Sequence, residues 1–366
     1  MNELHYYNPT RIVSSLGCVR AYDGFAALGK RAILVCGRHS ARISGALDHV
    51  RLALDAAEIR YTIFDRVENN PTVETCLDAG REAREFGAEF VIGIGGGSPL
   101  DAAKAVAVFA KNPTLTCETI YRHTFPEALP IVAIPTTAGT GSEVTQYAVL
   151  TVRAAETKQT VKHPLLFPRV ALLDAAYTET LSHRVTISTA VDAISHSVEG
   201  FFAKRANAVT DALAVRSLRL LSGGLHSILA GTLDLEVREM LLYGSTLAGM
   251  VIAGTGTGFV HTLGYALTYF DGVPHGEANA YFLSDFVAYM SLAREDKERV
   301  VYQALGVRDA HELRAWIETL IPLELKLSRD RVMQYSHSAE KRLATQNSVY
   351  EITNDDIYDL YKQYMR

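Results

Sequence analysis

Between Arg31 and Ile134, short apolar runs alternate with stretches whose apolar positions recur three and four residues apart. The segments "RAILVCG" (31–37), "RYTIFD" (60–65), "FVIGIG" (90–95) and "PIVAIP" (130–135) are brief, rich in β-branched residues and closed by Gly, Asp or Pro, which predicts buried strands. Between them, "GALDHVRLALDAAEI" and "TVETCLDAGREAREFG" have the period of amphipathic helices. This alternation predicts βαβ units around a parallel sheet. Beyond Leu181 the pattern changes to long Ala/Leu-rich segments of helical period, among them "TISTAVDAISHSVEGFFA" and "VREMLLYGSTLAGMVIA", with almost no strand signal. The expectation is an α/β domain over 1–178 and an all-helical domain over 179–366, joined within "LLDAAYTETLS" (172–182).

Composition narrows the function class. A chain of 366 residues, 48% hydrophobic and 21% charged, has the make-up of a compact globular protein with a large interior. Its net charge of −5 and lack of a Lys/Arg-rich block argue against a nucleic-acid or membrane-surface partner and favour a small molecule. The first ten residues, "MNELHYYNPT", lack the apolar core of a secretory signal, and no apolar run approaches the roughly 20 residues of a membrane span. A cytoplasmic protein is expected. Four scattered cysteines form no CxxC pair, which predicts reduced thiols.

In "FVIGIGGGSPLDAAKAVA" (90–107) a strand, a glycine cluster and a helix follow one another. Gly95, Gly96 and Gly97 let backbone N–H groups approach a ligand. Ser98 is placed as N-cap, Pro99 as first helical residue and Asp101 as capping-box acid, which together predict an anion site at a helix start. The spacing is not GxGxxG, and a plain strand-to-helix turn uses the same residue types. A second cluster, "IPTTAGTGSEVT" (134–145), follows the next strand and offers the hydroxyls of Thr136, Thr137 and Thr140 to phosphate, ribose or carboxamide. At the end of the first strand, where an acid would bond a ribose 2′-hydroxyl, the chain has Gly37 followed by Arg38, His39 and Ser40; this favours NADP over NAD.

Asp192 and His196 are four apart on one helix face in "TAVDAISHSVEGF", and His261 and His275 bracket the apolar, aromatic run "HTLGYALTYFDGVPH". One carboxylate and three imidazoles in apolar surroundings suit Fe²⁺ or Zn²⁺, although a lone histidine in such a segment is usually a hydrogen-bonded core residue. An unpaired buried carboxylate is costly, which makes the four together harder to explain without a cation.

The motifs "GGGSPLDAAK", "PTTAGTGSEVT", "LLDAAYTETLS" and "HTLGYALTYFDGVPHGEANA" resemble, in order and over nearly the whole chain, the iron-containing (group III) alcohol dehydrogenases. The resemblance implies a Rossmann-like N-terminal domain, a helical C-terminal domain with the active site in the cleft between them, and a homodimer. By motif position it makes Asp192, His196, His261 and His275 the metal ligands, Asn70 in "ENNPT" a cofactor-pocket residue, and Lys158 a lysine near the nicotinamide. Many members carry a second histidine four residues after the first; this chain has Tyr265 there. A phenol of reference pKa about 10 suits proton donation in aldehyde reduction better than general-base work in alcohol oxidation.

The chain has no GxSxG elbow, GxxxxGK[ST] loop or HExxH pair. The leading expectation is a metal-dependent, NAD(P)-linked alcohol dehydrogenase or aldehyde reductase for a small substrate. A lyase or cyclase of the dehydroquinate synthase type and a non-catalytic dinucleotide-binding protein are the alternatives.

Overall fold

The computed structural model describes residues 4–153, 157–343 and 347–365. The chain divides into two compact units: Asn8–Leu181, and Ser182 onward together with the segment ending at Tyr7.

In the first unit six strands form one sheet: β1 (Arg11–Ser14), β2 (Arg31–Gly37), β3 (Arg60–Val67), β4 (Phe90–Gly95), β5 (Ile131–Pro135) and β8 (Val170–Leu173), in the order β1-β8-β5-β4-β2-β3. All neighbours are parallel. The central strands are buried on both sides, so they read as continuous apolar runs with no alternation. Ile33, Val35 and Val91 face one core, with residues of α4 (Val73–Phe86) and α5 (Gly97–Lys111). Leu34, Cys36, Ile92 and Ile94 face the other, with α1 (Cys18–Ala21) and α3 (Ala46–Ala56) packed on it. A further short helix, α2 (Ser40–Ile43), follows β2. The chain leaves β2 toward β3 on one side and continues from β4 toward β5 on the other. The sheet therefore switches direction between β2 and β4, the place where open α/β sheets bind ligands beyond their strand ends.

Two further strands, β6 (Tyr147–Val152) and β7 (Thr157–Lys162), pair antiparallel outside the sheet. The sequence pattern does not predict them, because β7 is "TKQTVK" and buries only Lys158 and Val161.

The second unit is helical: α6 (His183–Phe201), α7 (Ala208–Leu229), α8 (Leu235–Thr255), α9 (Phe259–Phe270), α10 (His275–Leu305), α11 (Ala310–Leu320), α12 (Arg329–Leu343) and α13 (Asn354–Lys362). The starts of α6, α7 and α8 are capped by Ser182, Asn207 and Asp234, each accepting from backbone N–H groups of the first turn. From Ala190 to Phe201, α6 is buried throughout, which fits its many small residues and makes it the central helix of the unit. Among the described residues no single helix is long and apolar enough to cross a membrane.

Candidate metal and dinucleotide sites

Within the helical unit, α6, α9 and α10 bring a cluster together. Asp192 lies on α6, His261 in the first turn of α9, and His275 is the first residue of α10. Asp192, His261 and His275 each offer one ligand atom within 4.8 Å of the others. His261 Nε2 is 3.5 Å and His275 Nε2 3.9 Å from Asp192 Oδ1. His196, one turn after Asp192, falls outside that triplet: its ring stacks on His261 with centroids 4.5 Å apart.

Two buried groups that the sequence reading missed complete the cluster. Glu199, fully buried on α6, hydrogen-bonds His261 Nδ1 through Oε2 and accepts from the His261 backbone N–H through Oε1 at 3.2 Å. The Asn279 amide nitrogen, one turn after His275, donates to Asp192 Oδ1 at 2.9 Å and lies 3.3 Å and 3.5 Å from the Nε2 atoms of His261 and His275. The signal for Glu199 was present as a second acid, seven residues after Asp192 and on the same helix face.

The electrostatics suit a cation. Burial opposes the charged form of Asp192, but His196, His275 and His261 outweigh it and hold the carboxylate well below its ordinary value. Burial likewise opposes a charged His261, yet Glu199 and Asp192 push its pKa up to about 10. Two carboxylates sealed from water thus demand positive charge between the imidazoles, and a divalent ion answers that demand without a proton. The residues fit the metal.

Tyr265 stands beside this cluster, half-buried, its ring nearly parallel to that of His275 at 5.3 Å.

In the α/β unit, the glycine turn and the second cluster meet. A Cβ on Gly96 would fall 3.1 Å from Thr137 Oγ1, one on Gly97 would fall 2.5 Å from Thr140 Cγ2, and Gly95, at φ +147°, leaves 2.6 Å to Pro99 Cγ. Only glycine fits this cradle. The capping expectation is corrected: α5 starts at Gly97, its N-cap is Gly96, and no side chain caps it. Ser98 lies within the helix and accepts from Asn70 N–H at 3.1 Å. Asp101 is engaged behind the turn, accepting from Ser142 Oγ at 2.6 Å and Val149 N–H at 2.9 Å. The reason is geometric: three glycines shift the helix start two residues earlier than the serine pattern suggests. The first N–H groups of α5 consequently meet no capping side chain, and Thr136 Oγ1 is buried with no hydrogen-bond partner among the described residues. This cradle fits a dinucleotide phosphate.

Asn70 adopts the left-handed region at φ 56° and is held from three sides. Its N–H reaches Ser98, its carbonyl accepts from Thr151 Oγ1 at 3.0 Å, and its side-chain oxygen accepts from the buried Lys158 Nζ at 2.8 Å. Asn70 and Lys158, each named separately by the family resemblance, are thus in direct contact. Behind it, Lys104 is fully buried and donates to Ser142 Oγ, Thr145 Oγ1 and Tyr147 O. Burial outweighs Asp101 and Glu143 and lowers its pKa to about 8. At the end of β2, Gly37 is followed by exposed Arg38, His39 and Ser40; Arg42, one turn on, is the arginine that pairs with Asp65 at 2.7 Å.

Residues 9–175 match the family model for iron-containing alcohol dehydrogenase, and residues 186–365 that for the C-terminal part of the Fe-containing alcohol dehydrogenase family. The chain belongs to the iron-containing alcohol dehydrogenase family. It is 30% identical over 336 residues to lactaldehyde reductase of Escherichia coli K12, covering 87% of each chain. An iron-containing alcohol dehydrogenase of Thermotoga maritima has a crystal structure that aligns at TM-score 0.91 and 36% identity over 98% of this chain and 99% of that one. The sulfoacetaldehyde reductase of Bifidobacterium kashiwanohense, solved with NAD+, aligns at 0.89 and 27% identity over 100% and 99%. As an iron-containing alcohol dehydrogenase, the protein is an oxidoreductase acting on the CH–OH group of small alcohols and, in reverse, on the carbonyl of small aldehydes. The lyase and non-catalytic alternatives therefore fall.

Proposed function

We propose that the protein is an NADPH-favouring reductase of small aldehydes, acting with one divalent cation held by Asp192, His196, His261 and His275. The observation that carries this reading is the meeting of Asp192 Oδ1 with the Nε2 atoms of His261 and His275 in a buried, doubly acidic pocket. When bound, Fe²⁺ or Zn²⁺ supplies Lewis-acid polarisation of the carbonyl, and the nicotinamide supplies the hydride. His196 joins the ligand set by a side-chain adjustment about its stacked position beside His261. Gly95, Gly96, Gly97 and Ser98 receive the pyrophosphate at the start of α5, while Thr136, Thr137 and Thr140 face it from the second turn. The Asn70–Lys158 pair orients the nicotinamide end.

Arg38 is the basis of the cofactor preference, since it stands exposed next to Gly37 while the nearby Asp65 is engaged by Arg42. A 2′-phosphate would meet a guanidinium there and no free acid. Tyr265, against His275, delivers the proton that the nascent alkoxide needs, which favours reduction over oxidation near pH 7. A homodimer is part of the proposal and is checked by light scattering.

The test is a panel of short aldehydes with NADPH and with NADH, using chelated protein reloaded with one metal at a time. Turnover restored by Fe²⁺ or Zn²⁺ with a preference for NADPH is expected. Full turnover in the chelated protein removes the metal reading, and a clear NADH preference removes the role of Arg38.

A further inference from the structure

Glu199 is a wholly buried carboxylate that belongs to none of the expected ligands, yet both of its oxygens are committed to a single residue. Oε2 binds Nδ1 of His261, and Oε1 accepts the backbone N–H of the same histidine. The second contact lies where α9 begins, at a helix start whose N-cap, Gly258, has no capping side chain. A Cβ on Gly258 would stand 3.2 Å from Glu199 Oε1, so the backbone passes close to the acid. Glu199 therefore caps α9 from outside and grips the ring of the residue that the cap positions.

This arrangement decides which nitrogen of His261 faces the cluster. A carboxylate can only accept, so the proton on the Glu199 side must reside on Nδ1. The lone pair of Nε2 is then directed toward Asp192 and His275. We infer that Glu199 is the positioning residue for the metal: it fixes the tautomer and aim of His261, and through the α9 cap the place of that ring. The inference rests on the proposed assignment of Asp192, His261 and His275 as ligands. Carboxylates that hold a ligating histidine from behind typically change metal affinity 10–100-fold when removed.

The isosteric change Glu199→Gln separates aim from packing. If the amide nitrogen faces Nδ1, it donates and forces the proton onto Nε2, where a cation must bind. If the amide turns around, its nitrogen faces the His261 N–H, donor against donor. Either way the side-chain volume is unchanged.

The measurement is Co²⁺ and Zn²⁺ affinity of chelated protein, by the visible spectrum of bound Co²⁺ and by calorimetry, for wild type, Glu199→Gln and Asp192→Ala. Expected is a 10–100-fold weaker affinity in Glu199→Gln with an altered Co²⁺ spectrum. Its metal-free melting should fall as well, because the Glu199 contacts to His261 are present without metal, so affinity and spectrum are the deciding readouts. Wild-type affinity and spectrum in Glu199→Gln overturn the inference, as does a loss of metal-free stability with unchanged affinity, which marks a helix cap alone. If wild type and Asp192→Ala bind metal equally, the ligand assignment has failed, a different result from failure of the Glu199 role. Should Glu199→Gln not fold, Zn²⁺-loaded wild type labelled with ¹⁵N-histidine decides: a far-downfield proton on the Nδ1 of a histidine whose Nε2 ligates Zn²⁺ is expected, and its absence overturns the inference.

Discussion

Gly276 follows His275 in the first turn of α10, where α10 passes against α6. A Cβ added there would overlap the carbonyl oxygen of Ser188 and lie 2.7 Å from its carbonyl carbon. Non-bonded carbons settle at about 3.5–4.0 Å, so Gly276→Ala must move the two backbones apart by roughly 1 Å. Ser188 is one helical turn before Asp192, and Gly276 adjoins His275. The separation of His275 Nε2 from Asp192 Oδ1, now 3.9 Å, widens by a similar amount and no longer suits a shared ion with bonds of about 2.1 Å. The overpacking itself costs about 1–3 kcal/mol of stability, and metal affinity should fall at least 10-fold, the lower bound for disturbing the support of a ligand. The assay is metal content after dialysis against a metal buffer, read with thermal melting in chelator. Gly223→Ala is the control, because its methyl would meet only the flexible end of Met240, 3.0 Å away. Gly276→Ala with wild-type metal content and affinity would refute the reasoning.

Tyr265→Phe should lower kcat for aldehyde reduction by about 10²-fold or more, the range for losing a positioned acid, while leaving metal content unchanged; unaltered rates in both directions would remove Tyr265 from the chemistry. Arg38→Ala should reduce kcat/KM with NADPH by about 10–100-fold and leave NADH nearly untouched, as expected for one charge-assisted contact; equal losses with both cofactors would contradict a 2′-phosphate role. The buried Lys104 has its pKa lowered from 10.5 to about 8, so between these values the unfolded chain holds a proton that the folded chain does not. Its contribution to stability is full above about 10.5 and is lost as pH falls through about 8. In urea unfolding, the stability of wild type relative to Lys104→Met should therefore rise from pH 7.5 to 9.5, and parallel profiles would count against it.

The central strands were legible because burial on both faces leaves an uninterrupted apolar run between turn residues, as in "RAILVCG" and "FVIGIG". The hairpin of β6 and β7 was not, since it is half-solvated and half of it is Thr, Lys and Gln. Asp192, His261 and His275 stood out as polar residues in apolar helices, and the fold brings them together. Their supports were harder to see. Asn279 looks like any amide four residues into a helix, and Lys104 looks like a solvated lysine until α5 is found to be buried from Ala102 to Ala110. Ser98 and Asp101 misled, because the capping pattern depends on where the helix starts, and the glycines moved that point.

One measurement bears most directly on the whole account: anomalous diffraction at the iron and zinc edges from crystals of the metal-loaded protein. A single strong peak between Asp192 Oδ1, His261 Nε2 and His275 Nε2, with His196 turned toward it, is the predicted result. A peak elsewhere, or none at that position in protein that turns over aldehyde, would contradict it.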